Sequence, residues 1–306
     1  MKTGSSPSSS PSPPKQCPVC ASPRIREKPF GYLFNGRGLG GFACAECGII
    51  FLHPQPTTEE LVAMYSKKYF EGDFRCGHAG SYFDEATRNS LADRTLLVKI
   101  KHLKPEGSFL EIGCAGGAFL HAARQAGYRV TGVEFSEVGT NLARTQFHLD
   151  VRTGDLRDVH FPSNTFDVVF MGDVLEHLPD PVATCREVYR ILAPGGIFVI
   201  ECPMQTNTLF SRLGFVVYAA FGKRATVNLP PYHLFEYRRS SMASLLTRCN
   251  FTIVRASEGI LPPREIALRG TGVQNLGKKL FQYPNAVLTR LFGVFGDRIE
   301  MIAQKR

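Results

Sequence analysis

Along residues 109–201, short apolar runs alternate with stretches in which apolar residues recur at helical spacing, and this predicts alternating strands and helices. Short apolar runs predict buried strands at 109–112, 130–134, 166–171 and 197–201. Between them, apolar residues recur at helical spacing over 118–126, 137–147 and 182–192. Such an order is typical of an α/β fold, a Rossmann-like parallel sheet with helices on both faces.

Further elements are predicted on both sides of this repeat. Residues 240–249 read as a helix, 251–257 as a strand, and the terminal "DRIEMIAQKR" alternates like an edge strand. The apolar insertion at 206–222 is a candidate helix. Upstream, "TTEELVAMYSKKYF" begins with a threonine cap and an acidic first turn, which predicts a helix, and 86–102 reads as another.

Changes of composition divide the 306 residues into four expected segments. They are a disordered Ser/Pro-rich tail (1–16), a four-cysteine module (17–55), a helical linker or lid (56–104) and the α/β domain (105–306).

The chain carries a net charge of +9, of which residues 261–306 supply five, with eight Lys/Arg against three Asp/Glu. A solvated basic surface is the ordinary explanation, and an acidic acceptor or a lipid surface is the alternative. The interleaved aromatic and basic residues of an RNA-binding module are missing from the sequence, which disfavours nucleic acid as a partner.

No apolar run approaches the roughly 18 residues of a membrane helix. The N-terminus also lacks the apolar core of a signal peptide, so a cytoplasmic location is expected. Peripheral membrane contact stays open, because the stretch "LFSRLGFVVYAAFG" and the basic C-terminal region suit a hydrophobic or phosphorylated acceptor. Packing of that stretch on the core as a lid is the other explanation.

Four of the nine cysteines form two CxxC pairs, Cys17 with Cys20 and Cys44 with Cys47, separated by 23 residues. Each short turn presents two thiolates from one side, which suits a tetrahedral four-sulfur zinc site. Such a site has no open coordination position, so the predicted role of the zinc is structural. Reduced thiols in a small β-rich module are the alternative.

The glycine loop "EIGCAGG" follows the first predicted strand and precedes a helix, which places a ligand over the carboxyl end of that strand. Gly113, Ala115 and Ala118 match the dinucleotide pattern GxGxxG poorly, and a Walker lysine is absent from the loop. Acidic residues instead favour S-adenosylmethionine. Glu111 can accept from an ammonium group and Glu134 can accept from both ribose hydroxyls.

Together these motifs resemble the class I S-adenosylmethionine-dependent methyltransferases. The resemblance implies a seven-stranded sheet whose last strand is antiparallel. It implies cofactor contacts at Glu111, Gly113, Ala115, Gly117, Glu134, Phe135, Asp155, Leu156 and Asp173, with Asp155 accepting from the adenine amino group. The family usually has glycine where Ala115 stands, so slightly weaker cofactor binding is expected. Simple turns and helix caps are the alternative reading of these residues.

The cysteine pairs followed by "GIIFLHPQPTTEEL" resemble the zinc-ribbon extension of a subgroup that includes sugar C-methyltransferases. In that subgroup a histidine in the loop corresponding to "PPYHLFEYRRSS" faces the transferred methyl, which implies His233 as the catalytic base. An ordinary histidine is largely neutral at pH 7 and can accept a proton. Tyr232 stands where the subgroup often has a Glu, and Glu236 could replace it. A structural histidine is the alternative.

The stretch "DVLEHLPDP" resembles quinone-pathway O-methyltransferases, in which the corresponding acid, acid and histidine are thought to bind a divalent metal. Asp173, Glu176 and His177 would be the ligands here. The alternative interpretation, which the sequence favours, is that Asp173 caps a helix or contacts the cofactor and that the other two are ordinary helix residues.

The sequence thus predicts methyl transfer to a small-molecule acceptor, such as a sugar, a phenol or quinone ring, or a lipid-linked glycan. The competing hypothesis is a non-catalytic methyltransferase-like module that binds a protein or nucleic acid through the zinc ribbon and basic surface. A nicotinamide dehydrogenase is disfavoured by Glu111 and by the imperfect glycine pattern.

Overall fold

The computed structural model of the protein describes residues 13–65, 94–222, 224–260 and 272–306. Most of the tail predicted for 1–16, the middle of the linker predicted for 56–104 and the start of the helix predicted for 86–102 lie outside these residues.

The elements described before residue 105 are three strands and two helices. They are β1 (Ile25–Phe34), β2 (Arg37–Cys44), β3 (Ile50–His53), α1 (Thr58–Met64) and α2 (Arg94–Leu103). Helix α1 begins as the sequence predicts, because the Thr57 hydroxyl accepts a hydrogen bond from the backbone N–H of Glu60 at 3.3 Å and caps the first turn.

Strands and helices alternate through the middle of the chain. They are β4 (Ser108–Ile112), α3 (Ala118–Gln125), β5 (Arg129–Glu134), α4 (Glu137–Phe147), β6 (Val151–Thr153), α5 (Leu156–Val159), β7 (Phe166–Gly172), α6 (Pro181–Ile191) and β8 (Leu192–Pro203). A single 3₁₀ turn, Leu175–His177, follows β7. Ser136 caps α4 and Asp180 caps α6, each by accepting from a backbone N–H of the first turn.

After β8, the residues that the structure describes form three more helices and four more strands. They are α7 (Leu209–Ala220), β9 (Ala225–Val227), β10 (Phe235–Glu236), α8 (Arg239–Arg248), β11 (Phe251–Gly259), α9 (Gly272–Phe292) and β12 (Arg298–Lys305). Helix α9 and strands β9 and β10 had no counterpart among the elements expected from the sequence.

Seven strands form the central sheet in the order β11-β12-β8-β7-β4-β5-β6. Strands β4 to β8 are parallel, and β12 is antiparallel to both of its neighbours. The predicted α/β fold with an antiparallel last strand is therefore confirmed. The prediction of an edge position for the terminal strand is wrong, because β12 lies between β8 and β11 and its residues 299 and 301–303 are buried.

Alternate residues of the central strands enter two hydrophobic clusters, one on each face of the sheet. Leu110 and Phe198 belong to one cluster, whereas Phe109 and Val199 belong to the other. The first cluster also contains Phe51, Phe235 and three cysteines of the N-terminal module, so this module packs against the same face as α6 and α8.

A second sheet joins segments that are distant in sequence. Its five strands have the order β10-β3-β2-β1-β9, so two strands from the region after β8 extend the N-terminal hairpin on both sides. Phe235 pairs with Phe51 in the antiparallel contact of β10 with β3, and their rings stack with centroids 6.4 Å apart. The second sheet thereby fixes the backbone directly after residue 233.

Candidate functional site

The glycine loop between β4 and α3 is held against the end of β7. Gly113 and Gly117 have positive φ angles of 72° and 78°. A β-carbon on Gly113 would lie 2.3 Å from the Val174 side chain, and one on Gly117 would lie 2.6 Å from Leu149. Both positions therefore require glycine. Ala115 adopts a positive φ of 46° despite its side chain.

Two buried carboxylates flank this loop. Glu134, at the end of β5, accepts from the backbone N–H groups of Ala115 and Ser136, both at 2.8 Å. Burial raises its pKa, although these hydrogen bonds oppose the increase. Glu111, in β4, has an oxygen without a hydrogen-bond partner among the described residues. Burial and the charge of Glu134 raise the pKa of Glu111 to about 8.

These two carboxylates fit the predicted cofactor. Each carboxylate oxygen offers two lone pairs, so Glu134 can keep its backbone contacts and still accept from hydroxyl groups. An unpaired buried carboxylate such as Glu111 is costly unless a cation or a donor meets it. A ligand that carries an ammonium group and a ribose supplies both.

The other predicted cofactor residues differ in their surroundings. Leu156 is buried, and Phe135 is exposed and meets the Tyr65 ring edge-on at 6.3 Å. Asp155 caps α5 and accepts from the Arg157 guanidinium at 2.9 Å. Its carboxylate is therefore engaged in the ligand-free protein, and contact with adenine stays a prediction.

Asp173 does not join Glu176 and His177 as a third ligand group. Its backbone is left-handed, with a φ of 55°, and its side chain accepts from Arg298 of β12 at 2.6 Å. The role of Arg298 could not be predicted from sequence, because its position depends on the insertion of β12 beside β8.

His233 takes the third position instead. One ligand atom from each of Glu176, His177 and His233 lies within 4.8 Å of the others. The two imidazole rings meet edge to face with centroids 5.0 Å apart. Backbone contacts fix this arrangement, because Leu234 N–H donates to the carbonyl of Glu176 at 2.9 Å. The sequence analysis named Glu176 and His177 as candidate ligands and His233 as a candidate base, but it did not predict that they are in contact.

Hydrogen bonds define the protonation of His177. Its Nδ1 lies 2.6 Å from the carbonyl oxygen of Tyr232, which can only accept, so Nδ1 carries a proton. Burial and the nearby charge of His233 lower the pKa of His177 to about 3. Its Nε2 is therefore an acceptor at pH 7, and it lies 3.5 Å from an oxygen of Glu176.

Two facing acceptors need a proton or a cation between them. Burial and the charge of Asp173 raise the pKa of Glu176 to about 7. The Cys202 thiol donates to the other oxygen of Glu176 at 3.0 Å. The cluster can therefore hold a shared proton, and its two nitrogens and one carboxylate are also ligands that divalent transition metals accept.

His233 is more basic than an ordinary histidine. Burial lowers its pKa, but the hydrogen bond from Nδ1 to Glu236 at 3.3 Å and the charges of Glu176 and Glu236 outweigh burial and raise the pKa to about 9. The expectation that His233 is largely neutral at pH 7 therefore does not hold for the ligand-free protein. Glu236 therefore supplies the carboxylate partner of His233 that the residue before it, Tyr232, cannot supply.

Tyr65 is a site residue that sequence reasoning missed. Its ring meets Phe135, His177 and Tyr232 edge-on, with centroids 6.0 to 6.3 Å apart. It thereby bridges the predicted cofactor side and the histidine pair. An aromatic residue at the end of α1 was the only signal in the sequence.

The four cysteines of the N-terminal module also converge. Their sulfurs all lie within 4.8 Å of one another, with Cys17 and Cys47 at 3.8 Å and Cys20 and Cys44 at 3.5 Å. Sulfurs around a tetrahedral zinc with bonds of 2.3 Å are about 3.8 Å apart. A hydrogen bond from Cys47 lowers the pKa of Cys17 to about 5, which favours a thiolate there.

Comparison with known proteins supports the resemblance over the middle of the chain. A family model described as a methyltransferase domain matches residues 110–200. A probable S-adenosylmethionine-dependent methyltransferase of Mycolicibacterium smegmatis is 28% identical over 47% of this chain and 51% of its own length. A demethylmenaquinone methyltransferase of Symbiobacterium thermophilum is 35% identical over 38% of this chain and 51% of its own length.

A ubiquinone biosynthesis O-methyltransferase of Psychrobacter arcticus is 29% identical over 44% of this chain and 50% of its own length. The chain thus spans about half the length of these curated relatives. Among solved structures, a SAM-dependent methyltransferase from Archaeoglobus fulgidus has the same fold. Its TM-score is 0.51 at 20% identity, with 71% of this chain and 94% of that chain covered. Residues 110–200 therefore resemble a methyltransferase domain, and the fold around them is that of a solved SAM-dependent methyltransferase.

Proposed function

We propose that this protein transfers the methyl group of S-adenosylmethionine to a small-molecule acceptor and that His233 removes the acceptor's proton. The observation that carries the proposal is the contact between the glycine loop and the turn with Glu176 and His177. Gly113 lies against Val174, directly before that turn, and His233 packs on the turn from outside. Cofactor loop and candidate base thus meet at the carboxyl edge of the sheet.

The residues of the site have separate roles in this reaction. The cofactor supplies an electrophilic methyl group, so the protein must align the acceptor and accept its proton. Glu236 holds Nδ1–H of His233, which leaves Nε2 as the atom that exchanges a proton with the acceptor. His177 stays neutral and fixes the edge of the His233 ring.

The raised pKa of His233 favours a phenolic acceptor. A phenol has a pKa of about 10, close to that of His233 at about 9, so proton transfer between them is nearly balanced. A sugar hydroxyl is far less acidic. Relatives named for demethylmenaquinone and ubiquinone biosynthesis support the same choice. We therefore place a phenol or quinone-type ring before a sugar or lipid-linked glycan.

The buried charges also argue against the non-catalytic alternative. Glu176 is fully buried beside two histidines, and burying such groups is costly unless a function requires them. A module that binds partners through its zinc ribbon and basic surface does not need this cluster.

Substitution of His233 tests the proposal. His233→Ala should lower turnover about a hundredfold or more, because general-base steps typically contribute 10²–10⁴-fold. Affinity for S-adenosylhomocysteine, measured by calorimetry, should stay within roughly threefold. His102→Ala, an exposed histidine at the end of α2, is the matched control. Turnover of His233→Ala within a few-fold of the parent would remove His233 from the reaction.

A divalent metal held by Glu176, His177 and His233 is a second candidate, favoured by the convergence of their ligand atoms. It would replace the shared proton and bind the acceptor oxygen. The turnover assay distinguishes the metal from the shared proton. A metal role requires that exhaustive chelation abolish turnover while the N-terminal module keeps its zinc. Full turnover after chelation excludes it.

We also propose that Cys17, Cys20, Cys44 and Cys47 bind one structural zinc. Their sulfur spacing supports this assignment. The zinc would hold the hairpin of β1 and β2, on which β3 and β10 are assembled.

A further inference from the structure

Helix α7 is apolar on all sides and yet has no buried residue. Nine of its twelve residues, in "LFSRLGFVVYAA", are apolar. Val216 is 64% exposed, and Phe221, directly after the helix, is 73% exposed. A helix that is hydrophobic all round is normally enclosed by protein or by lipid. Within the part of the chain that the structure describes, protein does not enclose it.

Helix α9 also exposes apolar side chains. Leu276, Leu280, Tyr283, Val287 and Leu291 recur at intervals of three or four residues and therefore form one stripe along the helix. All five are exposed, from 54% to 70%. Among the described side chains of α9, the buried ones are Asn285, Ala286 and Thr289, and two of these three are polar.

The polar residues of α9 tie it to its surroundings. Asn285 accepts from the backbone N–H of Leu209 at 3.1 Å and donates to the carbonyl of Phe295 at 2.8 Å. Thr289 donates to the carbonyl of Val294 at 2.9 Å. These contacts orient the helix with its apolar stripe outward, so the exposure is specified by buried hydrogen bonds.

The two helices form one surface beside the candidate site. Phe210 of α7 and Phe281 of α9 pack with ring centroids 5.7 Å apart. Helix α7 begins shortly after the carboxyl end of β8, and α9 ends shortly before the amino end of antiparallel β12. Both ends lie at the sheet edge that carries the glycine loop and the histidine pair. We call the outward side of α7 and α9 the apolar helix face.

The chain segments that form this face contain basic but no acidic residues, although Arg224 pairs with Glu27 of β1. Residues 202–235 and 272–296 contain six Lys or Arg and no Asp or Glu. Arg212 and Arg290 are exposed and make no ion pair within the described part of the chain. Exposed apolar residues bordered by basic ones bind an anionic lipid surface, because apolar burial and charge attraction act together. A second copy of the same face would bring like charges together.

We propose that the apolar helix face docks this protein on the surface of an anionic lipid bilayer. The helices would lie in the interface and not cross it. Among the residues that the structure describes, no helix is both long and apolar enough to span a bilayer. The candidate site would then open toward the membrane surface, but the docking does not depend on methyl transfer.

Vesicle cosedimentation of the full chain tests the docking. The parent should bind vesicles of phosphatidylcholine mixed with phosphatidylglycerol and bind phosphatidylcholine alone at least tenfold more weakly. High salt should reduce the difference, because it screens exposed charges. Val216→Ser combined with Leu280→Ser should lower binding to the anionic vesicles at least tenfold. Both positions are exposed, so folding should be unchanged.

Two results would overturn the proposal. One is that the parent does not bind anionic vesicles. If the parent is then also a dimer that the double variant dissociates, the face belongs to a second copy of the chain. The other is unchanged vesicle binding of the double variant. Val98→Ser combined with Val254→Ser, which alters exposed valines on α2 and β11, is the control and should bind as the parent does.

Discussion

At the residue scale, the protonation of His233 decides how the candidate site can work. Two carboxylates near a buried imidazole stabilise its charged form, and Glu236 makes the direct contact. His177, only 5.0 Å away between ring centroids, is held neutral by burial and by the charge of His233. Two histidines in one pocket therefore have pKa values pushed in opposite directions, a common feature of acid–base sites.

A variant of Glu236 should move the pH dependence of catalysis. Since the neutral form of His233 accepts the proton, kcat/KM of the parent should rise with pH until about the pKa of 9. Glu236→Gln removes the carboxylate that raises this pKa, so the rising limb should shift to lower pH in a pH–rate profile.

Glu106→Gln is the control for this shift, because Glu106 is exposed in the turn before β4, at the opposite edge of the sheet. Its profile should match the parent. If the rising limb of the pH–rate profile does not shift in Glu236→Gln, a group other than His233 controls the pH dependence of kcat/KM.

At the scale of single elements, parallel strands β4 and β5 bring two carboxylates to one edge. The residue pairs Glu111 with Gly132 and Ile112 with Val133 place Glu134 just beyond Glu111 on the neighbouring strand. Backbone N–H groups stabilise Glu134, whereas one oxygen of Glu111 has no hydrogen-bond partner in the described part of the chain. The unpaired Glu111 oxygen therefore lowers the stability of the ligand-free protein, and a bound cofactor that pairs with it can restore this stability.

Replacement of Glu111 should stabilise the ligand-free protein. The folded-state pKa of about 8 exceeds the ordinary value of 4.5, so the protonated form is favoured by folding and stability is lost as pH rises between these values. Glu111→Gln abolishes this loss. Its Tm should exceed that of the parent by about 3 °C or more near pH 8, and the gain should shrink toward pH 5.

Calorimetric scans at several pH values measure this effect, with Glu106→Gln as an exposed carboxylate control. The same variant should bind S-adenosylhomocysteine more weakly, because the ammonium group loses a charged partner. A variant less stable than the parent at pH 8 would show that the Glu111 carboxylate is satisfied in the folded protein.

At the scale of the whole molecule, the N-terminal module and the candidate base are mechanically connected. Strand β3 pairs with β10, and Leu52 N–H donates to the carbonyl of Leu234 at 3.0 Å. Ser240 donates to the carbonyl of Cys47 at 2.9 Å. The backbone on both sides of Phe235 is therefore held by the four-cysteine module.

Loss of the zinc should therefore impair catalysis as well as local structure. Protein purified without added metal should contain about one zinc per chain by elemental analysis. Cys20→Ser should lose the metal and lower turnover at least tenfold, because His233 loses its support. Cys249→Ala, at a buried cysteine outside the module, should keep the zinc. Four freely titratable thiols in metal-free, fully active protein would contradict both claims.

Much of the central domain could be predicted from sequence, because its signals are local. The alternation of apolar runs and helical spacing predicted β4, β5, β7 and β8, and the threonine with its acidic first turn predicted the cap of α1. The glycine loop and Glu134 could be recognised because a strand, a turn and a helix follow one another within a few residues. The two CxxC pairs predicted a four-sulfur cluster on the same basis.

Only the tertiary structure decided the contacts between distant segments. The terminal strand looked like an edge because its alternation is local, but the order of strands in a sheet depends on long-range pairing, which placed β12 inside. Strands β9 and β10, two or three residues long, exist only because β1 and β3 offer them partners. The high pKa of His233 arises in the same way, since it depends on Glu176 and Glu236 together with burial, and a sequence pattern contains no measure of burial or of charges brought together by folding.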